Sequence, residues 1–242
     1  MTYQTYPIGE APPPNLRQPL RVELFFLTHS ETGEPLTNVG AHAVALAGAA
    51  LIDDLLRPVE RIRLVGSQVV VVNADVSGDP VADWVVRTLG GNRGTSVLDR
   101  PQRSYSVRDA VRAIAVHAYD RTAAGMYAGD LVQELKRRRL SGGRRRYPPT
   151  DTGVIARVRG RLCSVLTGHT PPDPQTAALA GLILALDLTS ELYLDGSGLN
   201  VRSLLKALAD WVGRSMPEVQ QLIGATDDLI AEAAVAVYGQ SR

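Results

Sequence analysis

The stretch from Ala41 to Asp83 constrains the fold more than any other part of the chain. It begins with an apolar run, Ala41–Leu56, built of small residues together with Leu and Ile. Apolar side chains fall on most faces of such a helix, which predicts a central, buried position. Two short runs, residues 61–65 and 68–72, follow on either side of Gly66-Ser67, a pattern that indicates a β-hairpin with a two-residue turn. The fold must therefore lead a buried helix directly into a hairpin.

Capping residues predict where several other helices begin. Asp79 and Asp173 each precede a proline, the favoured order of an N-cap followed by proline at the first helical position. Ser106 and Thr226 are further predicted N-caps, the second for the last helix. The predicted helices are residues 20–28, 41–56, 80–89, a helix that opens at Ser106, residues 119–139, a helix from Asp151 or Thr152 to Leu166, residues 177–188, residues 201–212 and a helix after Thr226.

These elements predict one mainly α domain, in which central apolar helices are ringed by amphipathic helices and accompanied by one or two small β-hairpins. Residues 1–18 contain a proline run and offer little to bury, so we predict a disordered tail ahead of a helical domain at residues 19–242. The single cysteine excludes an internal disulfide and a multi-cysteine zinc site. The apolar run at residues 177–186 is about half of the roughly 20 residues needed to cross a bilayer, so it is too short to be a membrane span. The expected location of the protein is the cytoplasm.

The most polar feature is a cationic stretch at residues 136–146, here called the basic segment. The whole chain has 26 basic and 25 acidic residues, so an electrostatic partner must be recognised by a local patch such as this one. Basic residues gain about 1 kcal/mol each against an anionic leaflet, whereas pairing with local acids is worth roughly 0–1 kcal/mol per pair. Nucleic acid is not expected as the partner, because no aromatic residue is interleaved with the cations of the basic segment apart from the adjoining Tyr147. The candidate lipid-binding residues in the segment are Lys136, Arg137, Arg138, Arg139, Arg144, Arg145 and Arg146.

Pairs of acidic residues offer an enzymatic alternative. Acidic pairs on helices of an all-α fold can hold Mg²⁺ and a substrate diphosphate, as in prenyl-diphosphate chemistry. The competing interpretation is that carboxylates in a first helical turn simply favour the helix dipole. No Ser/His/Asp set, phosphate loop or dinucleotide fingerprint is present, and no cofactor or metal is expected. The residues that would carry such an activity are Asp53, Asp54, Asp227, Asp228 and Glu232.

The order of these elements resembles the Golgi phosphoprotein 3 family over roughly residues 20–238. The resemblance implies a mostly helical fold with central apolar helices and a peripheral membrane protein, here of the bacterial type. Eukaryotic members bind phosphatidylinositol 4-phosphate and tether glycosyltransferases to the vesicle coat. The residues that carry the resemblance are Thr32-Gly33, residues 48–57, the hairpin at 61–72, Ser77-Gly78-Asp79-Pro80 with Asp83, and Asp173-Pro174-Gln175-Thr176.

The resemblance also maps the family's functional positions onto this chain. The tryptophan and first arginine of the headgroup pocket correspond to positions near Asn38 and Ala47. Two further basic positions fall around Gly125 and Ala128, where Arg121 is the nearest cation and hence a candidate lipid-binding residue. The family's projecting hairpin, used in self-association and near the membrane, corresponds to Leu140–Tyr147.

Three hypotheses about function follow. The leading one is a non-enzymatic peripheral membrane adaptor that binds anionic phospholipid, with a phosphoinositide-like headgroup, through the basic segment, and that self-associates or binds a client protein elsewhere. The second is a Mg²⁺-dependent enzyme acting on a prenyl or lipid diphosphate through the aspartate pairs. The third is a soluble scaffold with no lipid affinity.

Overall fold

The computed structural model describes residues 17–90, 104–135, 145–190 and 200–239. These residues confirm a mainly α fold with a small antiparallel sheet. In chain order the elements are α1 (Leu20–Leu27), α2 (Val39–Leu56), β1 (Ile62–Val65), β2 (Gln68–Val71), α3 (Pro80–Gly90), β3 (Tyr105–Ser106), α4 (Val107–Ala128), α5 (Gly153–Leu166), α6 (Pro174–Ala185), α7 (Val201–Ser215) and α8 (Pro217–Gly239).

Helices α2 and α6 form the centre of the fold, as their all-round apolar sequences predicted. Helix α2 packs against α1, α4, α6 and α8. Small residues permit this crowding: a Cβ atom on Gly48 would lie 2.3 Å from Thr226 Oγ1, and one on Gly181 would lie 2.9 Å from Ile223 Cδ1. Two glycines therefore let α8 approach both central helices closely.

Thr226 does not cap the last helix, contrary to the sequence prediction. Helix α8 begins at Pro217 and runs through Thr226, which is buried and donates its hydroxyl hydrogen bond to Leu222 O at 2.7 Å. A threonine whose hydroxyl bonds the carbonyl four residues earlier fits inside a helix. The residue faces α2 at Gly48 and does not mark a helix start.

Helix α4 also differs from the prediction, which placed one helix after Ser106 and a second one at residues 119–139. The structure has a single helix from Val107 to Ala128. It ends where Gly129 N donates to Gly125 O at 2.9 Å and Asp130 takes a positive φ of 57°. The predicted helix beyond Ala128 is therefore wrong for residues 129–135, while residues 136–139 lie outside the described residues.

The predicted hairpin is confirmed. Strands β1 and β2 pair in antiparallel register from Ile62 with Val71 to Val65 with Gln68, and the turn places Gly66 at a φ of 62°. Strand β3 pairs with β2 and extends the hairpin to three strands in the order β1-β2-β3. The two residues of β3 lead straight into α4, so the sheet is attached to that helix.

Three of the predicted N-caps are confirmed by their hydrogen bonds. Asp79 accepts from Val81 N at 3.1 Å, Ser106 from Asp109 N at 3.1 Å, and Asp173 from Thr176 N at 3.0 Å.

The two residues before Pro19 and α1 are bound to the start of α6. Arg17 Nη1 donates to Asp173 Oδ1 at 2.6 Å, and Gln18 O accepts from Gln175 at 2.8 Å.

Within the described ranges, one helix, α2, has the length and composition of a membrane span, with a mean hydropathy of 1.5. In this fold 61% of that stretch is buried against other helices, as expected of a core helix.

Candidate functional site

Two antiparallel runs, residues 131–135 and 145–150, carry the basic segment, and we call them the stem. A β-bridge joins Leu135 to Arg146, and Leu135 N donates to Arg146 O at 3.0 Å. A second bridge, one step closer to the body, joins Val132 to Pro149. The chain thus leaves and re-enters the body at one place, which is the geometry expected at the base of a projecting hairpin.

Residues 136–144, which connect the two runs of the stem, lie outside the described residues. By sequence they have a net charge of five positive, since they contain five cations and no acid. The candidate lipid-binding residues that fall here are Lys136, Arg137, Arg138, Arg139 and Arg144.

The stem is fixed to the body through Tyr147 and Gly33. The Tyr147 ring is buried, with its centroid 6.2 Å from that of Phe25 and 6.4 Å from that of Tyr119. Tyr147 N donates to Gly33 O at 3.1 Å. Gly33 has a φ of 77°, and a Cβ there would lie 2.2 Å from Pro148 N, so only glycine fits.

The two described arginines of the basic segment are exposed, and each pairs with one acid. The Arg145 side chain is 71% exposed and its Nη1 lies 3.2 Å from Glu134 Oε1. Its pKa is raised by the hydrogen bond with Tyr147 and then by Glu134. Arg146 is 51% exposed and pairs with Glu34. Exposed pairs of this kind contribute roughly 0–1 kcal/mol, so these arginines remain open to exchange with another anion.

The remaining candidate, Arg121, is on α4 and stacks on α3. Its guanidinium carbon lies 5.7 Å from the centroid of the Trp84 ring, within the range of a cation–π contact. Arg121 is exposed.

The positions that correspond to the family's headgroup pocket have structural roles here. The Asn38 side chain accepts from Gly40 N at 2.7 Å as the N-cap of α2, and Ala47 is completely buried. A Cβ on Gly125 would meet Val81 Cγ2 at 3.1 Å. These positions supply no cation to a ligand.

Asp53 and Asp54 belong to a buried network of charges at the C-terminal end of α2, here called the junction cluster. Arg21 Nη1 lies 2.8 Å from Asp53 Oδ2, and Arg57 Nε lies 3.2 Å from Asp54 Oδ1. The cluster joins α1, α2, the segment before β1 and the start of α3. Its members are Arg21, Asp53, Asp54, Arg57, Arg61, Asp79 and Asp83.

The acidic residues of α8 form a different group. Asp228 and Glu232 are exposed and pair with Arg108 and Arg112 of α4, with Asp228 Oδ2 at 3.1 Å from Arg108 Nη1 and Glu232 Oε2 at 3.0 Å from Arg112 Nη2. Asp227 is exposed as well. This group shares no arginine with the junction cluster, and among the described residues no set of three or more His, Cys, Asp or Glu side chains could hold a metal ion. The structure therefore does not join the two acidic groups in one site.

A stack of buried rings lies beside the stem, and nothing in the sequence spacing indicated it. The ring centroids of His29 and His42 are 5.2 Å apart. His29 Nδ1 lies 2.8 Å from Phe25 O and must donate to it, so Nε2 accepts from the Tyr119 hydroxyl at 3.0 Å. Burial lowers the pKa of His29 to about 4 and that of His42 to about 3, so both rings are neutral at pH 7.

Comparison with known families agrees with this architecture. A family profile described as Golgi phosphoprotein 3 (GPP34) matches residues 20–226 of the 242-residue chain. The matched region runs from the start of α1 into α8 and contains the sheet and the stem. A search of curated proteins found no match.

Proposed function

The chain belongs to the Golgi phosphoprotein 3 family, and on this premise we propose that it is a non-enzymatic, peripheral membrane adaptor that binds anionic phospholipid through its basic segment. The stem is the observation that supports the proposal most directly. Its bridge between Leu135 and Arg146 brings the two ends of the cationic segment together on the body. We propose a cytoplasmic location, with a client protein or a second copy bound on another surface.

The charge of the segment is sufficient for reversible attachment. Residues 136–144 contain five cations and no acid, and each gains about 1 kcal/mol near an anionic leaflet. Arg145 and Arg146 add to this when lipid phosphate replaces Glu134 and Glu34 as their partner. Binding of this kind is screened by salt, because the Debye length is about 8 Å at physiological ionic strength.

Recognition is proposed to depend on charge more than on a headgroup pocket. Asn38 is an exposed helix cap without an aromatic ring and Ala47 is an uncharged residue in the core, so neither can make the contact that the tryptophan or the arginine of the family makes. Vesicles that carry phosphatidylserine or phosphatidylinositol 4-phosphate at equal total charge should therefore bind to a similar extent.

The test is sedimentation of the full chain with vesicles at about 0.15 M salt. Neutral phosphatidylcholine vesicles should leave the protein in solution, and vesicles with anionic lipid should sediment it. Replacement of Arg137, Arg138 and Arg139 by alanine removes about 3 kcal/mol of attraction, which is more than 100-fold in affinity. The control replaces three exposed arginines of α5 and α7, Arg157, Arg202 and Arg214, and so lowers the net charge equally. Equal binding to neutral and anionic vesicles, or an equal loss in both variants, would contradict the proposal.

A further inference from the structure

The junction cluster contains one more acid than it has arginines. Four carboxyl groups and three guanidinium groups give it a formal charge of −4 + 3 = −1 when all are ionised. A net charge inside a fold is costly unless it is compensated. The hydrogen bonds of the four carboxyl groups show which of them is the extra one.

Asp53 and Asp79 are well supplied with donors. Asp53 accepts from Leu20 N at 2.6 Å and from Arg21 Nη1 at 2.8 Å. Asp79 accepts from Arg21 Nη2 at 2.6 Å and from Arg57 Nη2 at 2.7 Å, in addition to the N–H groups that it caps.

Asp83 is equally well supplied. Its Oδ1 accepts from Ser77 N at 2.9 Å and from Ser77 Oγ at 2.8 Å, and Arg61 Nη2 lies 2.9 Å away. For Asp79 and Asp83, burial acts to raise the pKa, but the arginines and the hydrogen bonds outweigh it and hold each pKa below its usual value. Burial raises the pKa of Asp53, against the lowering by Arg21 and by the N–H groups of Leu20 and Arg21. By the donors that they receive, Asp53, Asp79 and Asp83 are the three carboxylates that balance the three arginines.

Asp54 is the exception. It is completely buried, and within the part of the chain that the structure describes neither of its carboxyl oxygens accepts a hydrogen bond. The nearest cationic atoms are Arg57 Nε at 3.2 Å and Arg61 Nη1 at 3.7 Å, and both arginines make closer contacts with other acids. A buried carboxylate without donors is the form that a protein interior tolerates least.

We propose that the junction cluster holds one exchangeable proton, carried by Asp54 in the folded protein near neutral pH. The proton makes the cluster electrically neutral without a bound metal or a further cation. Its release as the pH rises weakens the joint at which the end of α2, the β1–β2 hairpin and the start of α3 meet. The joint is thereby a pH-sensitive element of the fold.

The groups around Asp54 support this assignment. Burial, together with a smaller effect of the neighbouring Asp53, raises the pKa of Asp54 to about 7 against the lowering by Arg57, Arg61 and Arg21. Arg21 of α1 is engaged by Asp53 and Asp79.

Among the residues that the structure describes, no ion pair joins Asp54 to the other helices packed on α2. Helix α6 has no ionisable side chain between Pro174 and Ala185. On α4 and α8, the described ion pairs join Arg108 and Arg112 to acids that include Asp228 and Glu232, and Arg121 lies over Trp84.

The direction of the pH effect follows from linkage. The pKa of Asp54 is raised in the folded protein above its unfolded value of about 4, so the folded protein holds a proton that the unfolded chain has lost. Its contribution to stability is therefore present at low pH and is lost as the pH rises from about 4 to about 7. Between about pH 5.5 and about pH 8.5, a pKa of about 7 corresponds to a fall of about 30-fold in the folding equilibrium constant.

The test compares the full chain with Asp54→Asn, which mimics the protonated carboxyl, by urea unfolding from about pH 5.5 to about pH 8.5. The ratio of folding equilibrium constants, wild type over Asp54→Asn, should fall by about 30-fold across this range. Asp173→Asn is the matched control, because it removes a carboxylate outside the junction cluster that accepts a hydrogen bond from Arg17 and whose pKa is held below its usual value, so its ratio should not fall in this way. A ratio for Asp54→Asn that does not change with pH would overturn the proposal, as would an equal fall for Asp173→Asn.

A second measurement needs no variant and so does not depend on whether Asp54→Asn folds. The carboxyl ¹³C resonance of Asp54 in the wild-type protein should titrate with a midpoint near pH 7. A resonance that is already that of a carboxylate at about pH 5 would overturn the assignment.

Discussion

Arg21 is the residue whose replacement most directly tests the description of the junction cluster. Its side chain is 6% exposed and donates to two carboxylates, Asp53 at 2.8 Å and Asp79 at 2.6 Å. Arg21→Met keeps an unbranched apolar stem and removes the charge. Breaking a buried ion pair by deleting one partner typically costs about 3–5 kcal/mol. Asp79 keeps Arg57, and Asp53 keeps the N–H of Leu20, so we expect a loss near the lower limit, about 3 kcal/mol.

The assay is urea unfolding at pH 7, with the free energy of unfolding extrapolated to water and the denaturant slope checked for constancy. Arg108→Met is the matched control. Arg108 also contacts two acids, Asp228 and Glu232, but these pairs are exposed, so its loss should cost roughly 0–1 kcal/mol.

Two further results would follow from the same reasoning. At about pH 5 the cost of Arg21→Met should shrink, because a carboxyl group left without its cation can take up a proton. Adding Asp53→Asn to Arg21→Met should recover part of the loss, since the uncompensated charge is then gone. If Arg21→Met and Arg108→Met cost the same within about 0.5 kcal/mol, the cluster does not stabilise the joint in the way described.

The remaining predictions concern helix packing and the buried histidines. Gly48→Ala should destabilise the protein by about 1–3 kcal/mol, because its Cβ would lie 2.3 Å from Thr226 Oγ1, whereas Gly224→Ala in α8 meets nothing within 4 Å and should stabilise it by about 0.5–1 kcal/mol. Urea unfolding of both variants checks this pair, and a stabilising Gly48→Ala would contradict the packing of α2 on α8. The lowered pKa values of His29 and His42 mean that their contribution is present above about pH 6.5 and is lost as the pH falls toward about 4. In a proton NMR titration, the ring signals of His29 and His42 should therefore not shift above about pH 5, and a midpoint near pH 6.5 would refute their burial as neutral rings.

Local signals in the sequence were sufficient for much of the fold. The apolar run that became α2, the turn at Gly66-Ser67 and the N-cap prolines after Asp79 and Asp173 depend on neighbouring residues only, and the structure confirms each of them. The wrong predictions concern residues whose role is set by tertiary packing. Thr226 has the chemistry of an N-cap, but its contact with Gly48 is a tertiary fact that single-sequence patterns do not contain.

The candidate site, too, could be predicted from the sequence only in part. The turn-forming residues of the basic segment predict a hairpin, but the stem itself could not be foreseen, because residues 131–135 were predicted to be helical and the structure pairs them with residues 145–150 instead. The junction cluster could not be foreseen either, because Asp53 and Asp54 find partners at Arg21 and Arg61, which are brought near only by the fold. The sequence suggested Asp53 and Asp54 as catalytic residues, and in the structure both lie beside arginines in an ion network.

The fixed attachment of the stem has a consequence for how the molecule could sit between two partners. Gly33 and Tyr147 hold the stem next to the ring stack that includes His42, in the first turn of α2, whereas the joint with the hairpin is at the last turn. A helix of 18 residues is about 27 Å long, so these two ends are too far apart for one ligand to cover both. If the basic segment binds a bilayer as proposed, this attachment would give the body of the molecule a constant tilt on the lipid surface.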